Sequence, residues 1–179
     1  MTIILIIIAA LIALFFIAAA LAPKTYRVER SIEINRPVAE VFNYLKHLKN
    51  QDNYSKWVRT DSQMKKTFKG TDGTVGFVYS WDGNKQAGAG EQEIKLIQEN
   101  ERLEVEVRFI RPFTGVAGAP FTTRAVSTAQ TEVTWGLHSN MKYPLNIMLL
   151  FMNMDKFLGK DIEASLQLLK QVLEERPVS

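Results

Sequence analysis

From Thr2 to Ala22 the chain reads TIILIIIAALIALFFIAAALA, with no charge, amide, glycine or proline. At about 1.5 Å rise per residue such a run forms a helix of roughly 30 Å, the thickness of a bilayer's hydrocarbon core. A helix apolar on every face has no side to turn to water. Beyond Pro23 the pattern breaks into shorter periods. Val28 to Ile34 (VERSIEI) alternates and predicts a strand. Asn35 as cap and Pro37 near the first turn predict a helix reaching about Leu48, with Val41, Phe42, Leu45 and Leu48 on one face. Lys49 to Lys56 has no apolar period and predicts a loop or short helix. Strands follow at about 63–69, 74–82, 86–98, 102–110, 119–127 and 130–140, separated by turn chemistry such as Gly70-Thr71-Asp72-Gly73 and Asp82-Gly83-Asn84. From Pro144 to Glu175 the period becomes 3.6 and predicts one long closing helix.

This order predicts an α+β fold. A curved antiparallel sheet of about seven strands wraps around a long C-terminal helix, preceded by an N-terminal transmembrane helix. It divides the chain into an anchor over 1–23 and a domain over 24–179. One helix rarely fills a concave sheet, so a cavity between the two is expected.

Strand alternation assigns the inward face. Leu103, Val105, Val107 and Phe109 share one side of their strand, Val133, Trp135 and Leu137 another, Val75, Phe77, Tyr79 and Trp81 a third. Gly90, Gln92, Ile94 and Leu96 make the fourth inward set, in which Gln92 is a polar group among apolar neighbours. On the closing helix the apolar stripe runs through Phe151, Leu158, Ile162, Leu166, Leu169 and Leu173, and Asp155 falls within about 20° of its centre. A carboxylate there is costly unless it is paired. It is a structural group satisfied by Tyr79, Trp81, Trp135 or a bend toward solvent, a polar anchor for a ligand, or a general acid or base. Gly159, one turn on, is expected to let the sheet approach the helix. Tyr143 to Met154 is apolar nearly all round and rich in methionine, including Met148 and Met152, which suits either the core half of the helix or a deformable lid near the cavity mouth. Tyr79, Trp81, Gln92, Phe109, Trp135, Met148, Phe151, Met152 and Asp155 are therefore the candidate ligand-binding residues.

Composition narrows the chemistry. The chain has no cysteine and two histidines, His47 and His138, so neither thiolate chemistry nor an imidazole metal site is expected, and no cofactor is implied. No triad or phosphate loop is recognisable, and no catalytic residue is assigned. Residues 24–69 hold eleven Lys and Arg against five acids. This basic stretch adjoins the anchor and is a candidate contact for anionic headgroups. It lacks the concentrated stripe that nucleic-acid binding requires. Met1-Thr2 supplies no basic n-region and the apolar run is long, which favours an uncleaved single-pass anchor over a cleaved signal peptide. Lys24, Arg27 and Arg30 on its C-terminal flank place the domain in the cytoplasm by the positive-inside rule.

One ordered set of residues carries a resemblance. Val28 to Ile34 is followed by Pro37 and Val41-Phe42, then Ser55-Lys56-Trp57. Gly73-Thr74-Val75-Gly76, Tyr79, Trp81 and Gly83 come next, then Gly88 to Gln92, Asn100-Glu101-Arg102, Thr131 to Gly136 and Leu158 to Asp161. Over nearly all of 26–173 the chain resembles the SRPBCC superfamily of START-like helix-grip proteins, within it the polyketide cyclase/dehydrase-like group. The resemblance implies the helix-grip fold and a cavity for a small hydrophobic ligand, lipid-like or aromatic, with no shared catalytic signature. It leaves two other functions in view: a cyclase or hydrolase working in the cavity, and a protein-interaction module like the superfamily's co-chaperone.

Overall fold

The computed structural model describes residues 1–175. The first element, α1 (Thr2–Leu21), is a helix long and apolar enough to cross a membrane and lies almost entirely exposed. Eight strands then form one antiparallel sheet: β1 (Thr25–Ile34), β2 (Lys65–Lys69), β3 (Val78–Asp82), β4 (Ala89–Gln98), β5 (Arg102–Arg111), β6 (Gly115–Gly118), β7 (Phe121–Ser127) and β8 (Gln130–Asn140). Their order is β1-β8-β6-β5-β4-β3-β2, with β7 paired to β5 and β8. Between β1 and β2 lie α2 (Val38–Lys46), a 3-10 turn at Leu48–Asn50, α3 (Gln51–Tyr54) and a second 3-10 turn at Val58–Thr60. The chain closes through a 3-10 turn at Leu145–Ile147, α4 (Met148–Phe151) and α5 (Met154–Glu174).

The expected α+β helix-grip architecture is present, with α5 lying along β1. Four departures from the sequence pattern have local causes. First, the strand expected over 119–127 begins only at Phe121, as β7, and a further short strand that the pattern did not show, β6, precedes it over Gly115–Gly118. Pro120 sits between them and has no N–H to give to a ladder, while the Ala119 N–H still donates to Val105 O at 2.7 Å. Second, the register of β4 shifts between Ile94 and Leu96, a β-bulge. Beyond it the alternation inverts: Leu96 turns outward and Ile97 packs on the core. Third, Pro37 rather than Asn35 takes the cap position of α2, and the Asn35 N–H instead donates to the Glu174 carboxylate at 2.7 Å. Fourth, the closing helix is not continuous from Pro144. It breaks at Met152-Asn153, where Asn153 Oδ1 accepts from the Lys156 N–H at 3.0 Å and caps α5. A residue that bonds the backbone in this way starts a helix rather than continuing one.

The core lies between the sheet's inner face, α2, α3 and α5. Leu103 and Val105 of β5, Val133 and Trp135 of β8, and Phe77 and Tyr79 beside and on β3 are buried, as the alternation predicts, whereas Val75, expected on the same face, precedes β3 and is exposed. So are Val41, Phe42 and Leu45 of α2 and Ile162, Leu166, Leu169 and Leu173 of α5.

The basic stretch 24–69 does not form one surface beside α1. β1 is ten residues long, about 30 Å at a strand's rise, and carries the chain away from α1. Arg36 at its far end is buried and donates to Leu173 O at 2.9 Å. Lys46, Lys56 and Lys66 pair with Glu99, Asp161 and Asp52. Lys24 is the cation of this stretch that adjoins α1.

Candidate functional site

A cavity of about 200 Å³ lies between the sheet and the helices that cover it. β5 and β8 supply Val105, Val107, Phe109, Trp135 and Leu137 to its wall. β3 and β4 supply Tyr79, Trp81 and Gln92. Gln51, Ser55 and Trp57 enter from α3 and the segment after it, and Leu158 from α5. Most of this wall is aliphatic or aromatic. All three tryptophans of the chain, Trp57, Trp81 and Trp135, belong to it.

The aromatic side chains are fixed against one another. Trp135 stacks on Phe121 with ring centroids 4.6 Å apart and meets the edge of Trp57 at 5.4 Å. Trp81 donates its indole N–H to Ala87 O at 3.3 Å and crosses Phe109 edge to face at 6.3 Å. The Trp81 ring lies directly on Gly90, where a Cβ would come within 2.7 Å of it. A side chain at position 90 would thus displace the ring that forms this wall.

The polar groups are few. Gln92 Nε2 donates to Gln51 Oε1 at 2.9 Å, so the amide expected among apolar neighbours is there and is paired across from sheet to helix. The Tyr79 hydroxyl donates to Asp52 Oδ1 at 2.8 Å, and Lys66 holds the other Asp52 oxygen at 2.8 Å. Burial pushes the Tyr79 phenol far above its ordinary value, and the adjacent Asp52 carboxylate adds to the shift. Trp135 Nε1 and the Tyr54 hydroxyl are buried without a hydrogen-bond partner among the described residues. Among the described residues lining the cavity, Tyr79 is the one ionisable group. Among the described residues, no group of three or more His, Asp or Glu side chains converges to hold a metal ion.

Five of the nine candidate residues meet at this cavity: Tyr79, Trp81, Gln92, Phe109 and Trp135. The other four do not. Met148, Phe151 and Met152 are displaced by the break at Asn153, which carries them past the start of α5 and leaves them exposed. Asp155 is turned to solvent by the same break. Arg30 donates to its two carboxylate oxygens at 2.8 and 3.0 Å. The hydrogen bonds from Arg30 hold the Asp155 carboxyl below its ordinary value. Gly159 makes room for this pair rather than for the sheet: a Cβ there would stand 2.1 Å from the Arg30 guanidinium. Gln51, Ser55 and Phe121 are lining residues that periodicity does not single out. Gln51 sits in a polar stretch, and only the turn of α3 aims it inward. Trp57 carried a signal as part of Ser55-Lys56-Trp57.

A single helix gripped by a curved antiparallel sheet, with an aromatic-walled cavity between them, defines a helix-grip protein. Residues 25–174 match the family described as polyketide cyclase / dehydrase and lipid transport, and the chain belongs to that family. Solved structures with the same fold include norcoclaurine synthase from Thalictrum flavum in complex with dopamine and hydroxybenzaldehyde. It is 11% identical, with a TM-score of 0.62 over 90% of this chain and 94% of that one. The Zhui aromatase/cyclase from Streptomyces sp. R1128 is 10% identical, with a TM-score of 0.63 over 85% and 95% of the two chains. The Aha1 dimer from Colwellia psychrerythraea is 16% identical, with a TM-score of 0.58 over 84% and 97%. Identities this low show a shared fold. No curated protein matches the chain by sequence.

Proposed function

We propose that this chain is a membrane-anchored binding module: residues 1–23 hold it in the bilayer, and the domain over 24–179 takes a small hydrophobic or amphipathic molecule into its cavity. The observation that carries this reading is the cavity's wall, aromatic and aliphatic throughout apart from the paired amides, Ser55 and one phenol. A cavity of about 150 Å³ holds benzene. The volume here, about 200 Å³, therefore suits a molecule of one or two rings rather than an extended acyl chain. The aromatic compounds named with the norcoclaurine synthase structure are of that class, which supports the reading by analogy of fold. Binding is favoured over acid–base catalysis because catalysis by proton transfer needs groups poised near the working pH. The one ionisable group in the wall, Tyr79, is shifted away from that range. Lys24, Arg27 and Arg30 orient the domain toward the cytoplasm, with Lys24 next to the headgroups.

Native mass spectrometry of the full-length protein, released from lipid nanodiscs, tests this reading. The expected result is a bound small molecule, or stoichiometric uptake of added 2-naphthol. Protein that carries nothing and takes up no aromatic probe contradicts it.

A further inference from the structure

The anchor is docked rather than tethered. Ala19 and Ala22, in and just after the last turn of α1, are buried against the segment that follows β8. Asn146, itself fully buried, donates through Nδ2 to Ala19 O at 2.7 Å and Ala22 O at 3.2 Å. These are carbonyls of the last turn, which a helix cannot satisfy internally. One and a half turns deeper, the Tyr143 hydroxyl donates to Phe16 O at 3.4 Å, and the two rings lie 6.1 Å apart. Phe16 is about 9 Å below Ala22 along the helix axis. A bilayer spanned by α1 therefore reaches the level of Tyr143, an amphipathic ring of the kind that sits at the headgroup boundary.

The strand register brings further apolar side chains to this end. Thr25 at the start of β1 pairs with Asn140 at the end of β8, and Ser139 pairs with Ala117 of β6. The β5–β6 turn thus stands beside the exit of α1. It exposes Ile110, Phe113 and Val116, and Phe113 is 77% exposed. On the other side, α4 and the first turn of α5 expose Leu150, Phe151 and Phe157, with Phe151 at 83%. Water-facing surfaces rarely gather such side chains at one end. Around them stand Lys24, Lys142 and, in the β3–β4 turn, Lys85, none with an ion-pair partner among the described residues. Of the acids at this end, Asp82 is engaged by Arg111 and Asp155 by Arg30, while Asp61 accepts from the backbone N–H groups of Gln63 and Asn84. Apolar tips ringed by free cations match the interfacial layer of an anionic bilayer.

We propose that this end of the domain is seated in the bilayer interface, with the β5–β6 turn at Phe113 and α4 at Phe151 inserted among the acyl-chain ends. The proposal rests on the anchor reading above and adds a fixed orientation to it. Phe109 and Leu158, the half-exposed lining residues nearest these tips, then put the cavity's approach on the membrane side.

The chain has no cysteine, so a single introduced thiol can be labelled selectively. Full-length Phe113→Cys, Phe151→Cys, Leu11→Cys and Val126→Cys variants would carry a nitrobenzoxadiazole label in vesicles of equimolar phosphatidylcholine and phosphatidylglycerol. Val126 is exposed on β7 at the opposite end of the sheet. The expected result is blue-shifted emission at positions 113 and 151, quenched by doxyl-labelled lipid as at position 11, with position 126 quenched by aqueous iodide alone. Labels at 113 and 151 that behave like 126, while 11 stays in lipid, overturn the seating and leave the anchor standing. A label at 11 open to iodide overturns both. Labels at 113 and 151 shielded from iodide and from doxyl lipid would mean that protein covers this face, and the seating falls.

Discussion

Arg30 of β1 lies across α5 at Gly159 and grips Asp155 through both carboxylate oxygens, at 2.8 and 3.0 Å. The same guanidinium donates to Glu29 O at 2.7 Å and Asp155 O at 3.2 Å, so it ties the middle of an edge strand to the first turn of the gripped helix. Gly159 is the residue type that leaves room for it.

This pair predicts a signed dependence on pH. The Asp155 carboxyl is depressed below its ordinary 3.8 by its hydrogen bonds to Arg30. Its contribution to stability is then full above the unfolded-state value and is lost as pH falls through the lower folded-state value. Urea midpoints of wild type and Asp155→Asn should differ modestly at neutral pH, because exposed pairs are weak. They should converge only below pH 3.8. A carboxyl titration by NMR should place Asp155 below its ordinary value and return it there in Arg30→Gln. An unshifted titration in wild type would contradict the pairing.

The Gln92–Gln51 hydrogen bond crosses the cavity wall where neither amide has much water. Removing one partner leaves the other buried and unpaired, so Gln92→Leu should cost about 1–3 kcal/mol, read as a lowered urea midpoint. Replacing both with leucine removes the orphan. Gln92→Leu/Gln51→Leu should therefore be more stable than Gln92→Leu alone, and strict additivity of the two losses would refute the coupling.

Asn146 joins α1 to the domain. Asn146→Ala deletes two hydrogen bonds worth about 1 kcal/mol each. Opening at Pro23-Lys24 should rise on the order of 30-fold, the equivalent of about 2 kcal/mol. Limited trypsin digestion of nanodisc-embedded protein should show this as faster cleavage after Lys24, with the rest of the domain resisting as before. An unchanged cleavage rate would mean that these contacts do not restrain α1.

The periodic parts of the fold were legible in the sequence, and the parts fixed by single residues were not. Alternation in 102–110 and 130–140 correctly turned Val105, Val107, Phe109 and Trp135 inward, because a strand's period is strict. The same rule placed Leu96 inward and failed there, since a bulge at Lys95 inverts the phase without any apolar signal. The helical period drew one stripe from Phe151 to Leu173, yet Asn153 restarts the helix. Everything before it, including Met148, Phe151 and Met152, leaves the stripe. Asp155 looked buried for the same reason. Its partner, Arg30, is 125 residues away in sequence, beyond the reach of any local pattern. Gln51 and Asn146 were invisible because their polar side chains acquire a role only through tertiary contacts with Gln92 and α1.

The central claim is that the cavity binds a small ring-bearing molecule, and the three tryptophans report on it directly, since all three line its wall. In a spectrum of nitrogen-15-labelled full-length protein in nanodiscs, titration with 2-naphthol should shift the indole N–H signals of Trp57, Trp81 and Trp135 together and saturably. The largest change is expected at Trp135, whose Nε1 is buried without a partner. Val107→Trp, which fills the cavity, should abolish the shifts of the original three signals. Indole signals that stay fixed through the titration, or that move alike in Val107→Trp, would contradict the account.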